Sequence, residues 1–291
     1  MATHVQPPCP ICGTTQFKPE LHLHDYAVTG EPFTIQSCTQ CGLWQTHPQP
    51  NEAQLPHYYQ STAYISHQTT SHSLFERVYF IARNFMIRKK LTLIEHHHAK
   101  GKLLDYGCGT GAFLAQAQKK GWIVSGYEPS ATARAAADPR LRIAATPSEL
   151  NGPFDVITLW HVLEHLPHIQ SDLDQLRTLL APGGLLVIAV PNHESWDATH
   201  YQQRWAGYDV PRHLWHLNQT NLVRLLNKHH LRHIATRPLL LDSFFVSLLS
   251  ERYAQTLPAI AYIKAFWHGI YSNWKARGTT NYSSLIYLAR K

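Results

Sequence analysis

Asp105 closes a short apolar run in LLDYGCGTGAFL (103–114), and Gly107, Gly109 and Gly111 follow it at alternate positions. Glycines in a turn ahead of a helix let backbone N–H groups come close to a ligand. Three chemistries compete for such a turn. A phosphate loop needs G-x-x-x-x-G-K-[ST], and the sequence has no such string. The dinucleotide spacing G-x-G-x-x-G/A is met by Gly107, Gly109 and Ala112. Glu128 follows at about the twenty residues expected of a ribose-binding acid. Asp105 argues against a pyrophosphate, because a carboxylate at the end of the strand repels it. The same carboxylate suits a ligand with a positive group beside a ribose, whose two hydroxyls Glu128 can accept from.

A second chemistry lies nearer the N-terminus. CPICG (9–13) and CTQCG (38–42) are two Cys-x-x-Cys-Gly knuckles. Cys9, Cys12, Cys38 and Cys41 suit tetrahedral Zn2+, and the glycine after each pair permits the tight turn. Strand-like LHLHDYAV and FTIQSC lie between the knuckles, broken at TGEP, as in a zinc ribbon. A closed four-thiolate site is expected to be structural, folding a module too small to fold alone.

The elements that must position these residues follow from periodicity. Residues 73–98 show helical spacing at Leu74, Val78, Ile81, Phe85, Leu91 and Ile94, with Arg83, Arg88, Lys89 and Lys90 expected on the solvated side. WIVSGYE (122–128), LRIAAT (141–146), FDVITLW (154–160) and LLVIAVP (185–191) read as strands. SDLDQLRTLL (171–180) reads as a helix with Ser171 as N-cap, ending at PGG. Strands alternating with helices imply a parallel sheet covered on both faces. Ligands bind such a sheet at the carboxyl ends of its strands, where Asp105, the glycines, Glu128 and His161 fall.

LLDYGCGTGAFL, GYEPS, FDVITLWHVLEHL and LLAPGGLLVIAVPN, in this order, resemble the successive motifs of class I S-adenosylmethionine-dependent methyltransferases. The resemblance covers roughly residues 100–290. It implies an α/β fold, a Rossmann-like seven-stranded sheet with helices on both faces, behind the small zinc ribbon. It also implies S-adenosyl-L-methionine as cofactor. Asp105, Gly107, Gly109 and Gly111 would hold its methionine end and Glu128 its ribose, with His161 beside the donor. The acid that the family often has near the adenine is replaced here by ATPSELN, where Thr146 and Ser148 are substitutes.

HVLEH (161–165) also matches H-x-x-E-H, which on a helix would align His161, Glu164 and His165 as in a zinc peptidase, a remote alternative. The core motifs are similar to those of ubiquinone-pathway O-methyltransferases. Those enzymes have an acid-rich string here, implicated in divalent metal binding, and this chain has His161 at its first position. The plainer alternative is that Glu164 and His165 only cap and anchor the helix.

The stretch 192–217 is too long for a plain connection and is expected to be a substrate loop or lid. Its PRHLWHLN resembles a string in methyltransferases that also carry an N-terminal cysteine module. Arg212 would pair with an anionic group of the substrate, and His213, or else His161, would take the acceptor's proton. A salt-bridged arginine and a capping histidine are the competing reading. LRHIATRP (231–238) and NYSSLIYLAR (281–290) resemble the closing antiparallel pair of the family's sheet. Between them, 240–279 is a second insertion in which aromatic and basic residues interleave, expected to form a helical lid or to touch a membrane surface.

The domain boundaries expected are therefore 1–45 for the ribbon, 46–99 for a connector and helix, and 100–291 for the methyltransferase domain. The 291 residues carry a formal net charge of +7 with 21 histidines, which favours an anionic partner. No secretory leader opens the sequence and no apolar run reaches the ~18 residues of a membrane span, so a cytoplasmic protein is expected. Five cysteines fit that compartment as metal ligands. The expected activity is methyl transfer to a small-molecule, saccharide or lipid-linked acceptor, with O-methylation favoured. The alternatives are an RNA methyltransferase that grips RNA with its ribbon and a non-catalytic binding module.

Overall fold

The structure, a computed structural model, describes residues 7–51, 53–59 and 74–291, so the connector's 60–73 lie outside the described residues. β1 (Phe17–His24) and β2 (Pro32–Cys38), which join the two cysteine knuckles, and β3 (Trp44–His47), which follows the second, form an antiparallel meander. α1 (Leu74–His97) then leads into an alternating run: β4 (Lys102–Tyr106), α2 (Ala112–Lys119), β5 (Ile123–Tyr127), α3 (Ala131–Ala135), β6 (Ile143–Ala144), β7 (Phe154–Trp160), α4 (Ile169–Leu179) and β8 (Leu180–Pro191). The remainder is α5 (Trp196–Tyr201), β9 (Trp215–His216), α6 (Gln219–Lys228), β10 (Arg232–Pro238), α7 (Asp242–Tyr253), α8 (Pro258–Thr279) and β11 (Ser284–Arg290).

Seven strands form one sheet in the order β10-β11-β8-β7-β4-β5-β6, parallel except for β11, which is antiparallel to both neighbours. The order reverses at β4, with β5 on one side and β7 on the other. That reversal opens a crevice at the carboxyl end of β4. β7 and β8 read as near-continuous apolar runs because helices cover both faces. Leu104, Ile157 and Ile188 pack on one face with α4 and α6, and Leu103, Val156 and Val187 pack on the other with α1 and α2.

Several local expectations are corrected. β6 is only two residues long. α4 begins at Ile169 with His168 as N-cap, and Ser171 lies inside it, its hydroxyl donating to the His168 carbonyl at 3.0 Å. HVLEH is not on an α-helix: Leu163–His165 is a single 3-10 turn, entered from His161 at φ 56°. Lys90 does not face solvent but lies over the Trp160 ring at 4.1 Å.

The larger correction concerns 192–217, which is no free lid. Ser195 caps α5 by accepting from the Ala198 N–H at 3.2 Å, and the chain then runs inward against the ribbon. Trp205, Tyr208 and Val210 share a core with Leu23, Phe33 and Ile35 of the ribbon. β9 adds to the ribbon's sheet by pairing antiparallel with β3, Trp44 opposite His216 and Gln45 opposite Trp215. On the far side, Cys9, Cys38 and Leu43 join the main core. The expected 1–45 module therefore shares its sheet and both its apolar faces with the larger domain.

Candidate functional site

Parallel register sets Asp105 between Gly126 of β5 and Thr158 of β7. Its carboxylate is buried and accepts from Thr158 Oγ1 at 2.6 Å. Burial raises its pKa to about 7, against the Thr158 hydrogen bond and the Lys90 charge, which lower it. The chain then turns back, and the N–H groups of Gly107 and Cys108 donate to the Tyr127 carbonyl at 2.7 and 2.9 Å. Gly107 is required twice over: its φ is +78°, and an added Cβ would lie 2.5 Å from Val162 Cγ2. Glu128 leaves the end of β5 facing this loop. It accepts from the Gly109 N–H at 2.9 Å and from the Ser130 N–H at 2.8 Å. Thr146 and Ser148 bond locally instead, to each other at 2.9 Å and from Thr146 Oγ1 to Glu149 Oε1 at 2.8 Å.

His161 stands at the carboxyl edge, where its left-handed backbone lets its N–H donate to the Ala189 carbonyl at 2.9 Å. Its Nε2 lies 2.8 Å from Asp242 Oδ2 at the start of α7, and its Nδ1 lies 3.3 Å from Glu164 Oε1. Burial alone would lower its pKa, but the two carboxylates outweigh that and raise it to about 9. The two carboxylates therefore favour the protonated ring. Asp242 was not foreseen, since nothing in the sequence marks it as a partner of a residue so distant.

Arg212 is 1% exposed and fully engaged. Its Nε and Nη2 donate to Asp209 at 3.0 and 2.7 Å, its Nη2 to Asp25 Oδ1 at 2.8 Å, and its Nη1 to the Tyr58 carbonyl at 2.9 Å. It is a staple between the loop and the ribbon, in place of the expected substrate anchor. Asp25 carries the partly legible signal: it opens the turn DYAVTG, accepting from the Thr29 N–H at 2.9 Å.

His213 is brought from the loop to His165, the rings edge to face at 4.5 Å. Its Nδ1 lies 2.9 Å from the Gly207 carbonyl and its Nε2 4.0 Å from Glu164 Oε1. Ligand atoms of Glu164, His165 and His213 all fall within 4.8 Å of one another, a set able to hold a metal. The four ribbon cysteines form the other such set among the described residues. Cys9 and Cys41 sulfurs are 3.4 Å apart, as are those of Cys12 and Cys38. That spacing suits four ligands about 2.3 Å from one zinc.

A family profile described as a methyltransferase domain matches residues 79–236. A ubiquinone biosynthesis O-methyltransferase of Caulobacter sp. (strain K31) is 34% identical over 103 residues, 31% of this chain and 41% of that protein. One from Rhodopseudomonas palustris (strain BisA53) is 31% identical over 133 residues, 39% of this chain and 51% of its own length. The chain thus spans about half the length of the curated relatives it matches. The solved structure of Burkholderia thailandensis 1,6-didemethyltoxoflavin-N1-methyltransferase, with 1,6-didemethyltoxoflavin and S-adenosylhomocysteine bound, has a TM-score of 0.50 at 16% identity. The match covers 89% of this chain and 95% of that one, a likeness of fold.

Proposed function

The chain belongs to the class I S-adenosylmethionine-dependent methyltransferases, and from that premise we propose that it methylates an oxygen of a small-molecule, saccharide or lipid-linked acceptor. The observation that carries the cofactor reading is the buried Asp105 beside the glycine turn, with Glu128 facing the same turn. A carboxylate held up at about 7 by burial calls for a cation, and the α-ammonium of the cofactor is one. Gly107 to Gly111 give that end room, and Glu128 receives the ribose hydroxyls. S-adenosylmethionine, when bound, supplies an electrophilic methyl group on its sulfonium.

This chain's residues then hold the acceptor in line and take charge of its proton. His161, fixed between Asp242 and Glu164, lends positive charge at the edge of the crevice. The acceptor's proton leaves through the Glu164–His165–His213 cluster, of which His213 is the member that the loop delivers. The names of the curated relatives support an oxygen acceptor. Zn2+ on Cys9, Cys12, Cys38 and Cys41 serves as structure.

The 240–279 insertion supports contact with an anionic lipid surface. Ala261, Ala265 and Gly269 of α8 face inward, and an added Cβ on Gly269 would lie 2.5 Å from Phe244 Cδ1. Its large side chains, Ile263, Phe266, Trp267 and Trp274, face out. Lys264, Lys275 and Arg277 stand among them and no acid does. Aromatic rings with interleaved cations suit the headgroup layer. No helix among the described residues is long and apolar enough to cross a membrane.

The deciding experiment is transfer of labelled methyl from S-adenosylmethionine to a panel of hydroxylated acceptors, anionic ones included. Transfer to a hydroxyl supports the reading. Tight cofactor binding with transfer only to amines, or to RNA, overturns its acceptor half.

A further inference from the structure

We propose that Tyr59, from the connector, is a positioning residue for the histidine cluster: it fixes the ring of His165 in the tautomer that leaves Nε2 open to a proton. The observations that place it begin with the turn it ends.

The connector folds at this point because of its own residues. Asn51 and Gln54 bond reciprocally, the Gln54 N–H donating to Asn51 Oδ1 and the Asn51 N–H to Gln54 Oε1, both at 3.0 Å. Such a pair starts a turn by satisfying its first donors, and the single 3-10 turn Leu55–Tyr59 follows. The two tyrosines that end the turn go to different partners. Tyr58 is buried against Phe33 of the ribbon, and its hydroxyl donates to Glu31 Oε2 at 2.6 Å. Its carbonyl accepts from Arg212 Nη1 at 2.9 Å. With Tyr58 clamped in this way, Tyr59 is brought to the cluster, where its hydroxyl lies 3.0 Å from His165 Nδ1. Burial first, then the Asp209, Glu164 and Glu128 carboxylates, push the Tyr59 pKa up against the Arg212 charge, so the phenol is neutral.

The same Nδ1 lies 3.0 Å from the Arg212 carbonyl. A carbonyl only accepts, so Nδ1 carries a proton and shares it between that oxygen and the Tyr59 oxygen. A neutral ring protonated there has its lone pair on Nε2. Histidine bases are held in this manner: a group on one ring nitrogen sets the tautomer and steadies the charge gained at the other. As the acceptor's oxygen takes the methyl group, its proton enters the cluster and the S–C electron pair returns to sulfur. The two contacts at Nδ1 then stabilise His165 as it takes on charge. The ribbon thereby gains a part in the chemistry, because Glu31, Phe33 and Arg212 decide where the Tyr59 hydroxyl falls. That part rests on the proposed methyl transfer, whereas the tautomer does not.

The test compares Tyr59→Phe with the unmodified full chain. Long-range 1H–15N NMR should show His165 as the Nδ1–H tautomer in both, since the Arg212 carbonyl remains. In the variant that proton should move upfield and exchange faster with water. With an acceptor in hand, kcat of Tyr59→Phe should be roughly two- to tenfold lower, the worth of one hydrogen bond. KM for the acceptor, cofactor affinity and the unfolding midpoint should not change. A hydroxyl with a structural role alone would lower the midpoint and leave kcat as it was, and that result overturns the positioning role. Should the variant fold poorly, the unmodified protein decides, by its tautomer and by an NOE from the Nδ1–H proton to the Tyr59 ring. His165 found as the Nε2–H tautomer, or an Nδ1–H signal identical in both proteins, overturns the proposal whatever the acceptor proves to be. Failure to methylate any hydroxyl counts against the proposed function, and the NMR signals still decide the place of Tyr59.

Discussion

At the scale of single residues, the proposed cofactor site rests on two carboxylates with different tasks. Glu128→Ala should weaken S-adenosylmethionine binding by about 1.5–3 kcal/mol, the range for hydrogen bonds to a charged group. Calorimetry measures it, and an unchanged affinity would remove Glu128 from the ribose. Asp105 should make that binding depend on pH. Its pKa is about 7 without cofactor. Only the carboxylate form pairs with an ammonium, so below pH 7 the group must release a proton as the cofactor binds. Affinity should then fall as pH drops through 7, by about tenfold per unit, and level off above it. Titrations in buffers of different ionisation enthalpy should count that proton, and Asp105→Asn should bind weakly with no slope. For His213→Ala we expect kcat lower by roughly 10²–10⁴-fold with cofactor affinity unchanged, once an acceptor is known. Near-normal turnover would place the proton's exit elsewhere.

At the scale of elements, sequence periodicity found β4, β5, β7 and the glycine turn because each is set by its own apolar run and its own turn residues. β7 falls on Phe154–Trp160, as its pattern requires. The start of α4 was missed because two further residues fit the first turn ahead of Ser171, and a hydroxyl inside a helix can bond back to a carbonyl as well as cap. The role of 192–217 was not legible for a different reason. Its partners lie far back in the chain: Asp25 is 187 residues from Arg212, and no local pattern records such a pairing. That staple also has an acid limit. Burial alone would raise the Asp25 pKa, but the Arg212 and Thr29 hydrogen bonds hold it below the ordinary carboxylate value. A depressed acid adds stability that is present above its unfolded pKa, about 3.9, and lost as pH falls through its folded value. Acid unfolding should therefore begin with release of the ribbon from the loop. Asp25→Ala, which leaves Arg212 buried with one carboxylate fewer, should cost about 3–5 kcal/mol in denaturant titrations. A cost near zero would mean that water or Asp209 alone satisfies the guanidinium.

At the scale of the whole molecule, α8 puts Ala261, Ala265 and Gly269 inside and Ile263, Phe266, Trp267 and Trp274 outside, and α7 exposes Phe245. This face should sediment with vesicles rich in phosphatidylglycerol and far less with phosphatidylcholine. Lys264→Glu with Lys275→Glu should abolish the difference. If the protein instead forms a dimer that those charges do not affect, and ignores vesicles, the face belongs to a second copy of the chain.

The pairing of β3 with β9 also orders events during synthesis. Thr46 and His216 are in contact but 170 residues apart. At 5–20 residues per second, the ribosome takes roughly ten to thirty seconds to deliver the second after the first. Throughout that interval the first meander has a bare edge and two uncovered apolar faces, the conditions under which strands pair with the wrong neighbour. Zinc captured early by the four thiolates would hold the nascent hairpin in register while it waits, so a cell starved of the metal should accumulate aggregated chains before it loses folded ones.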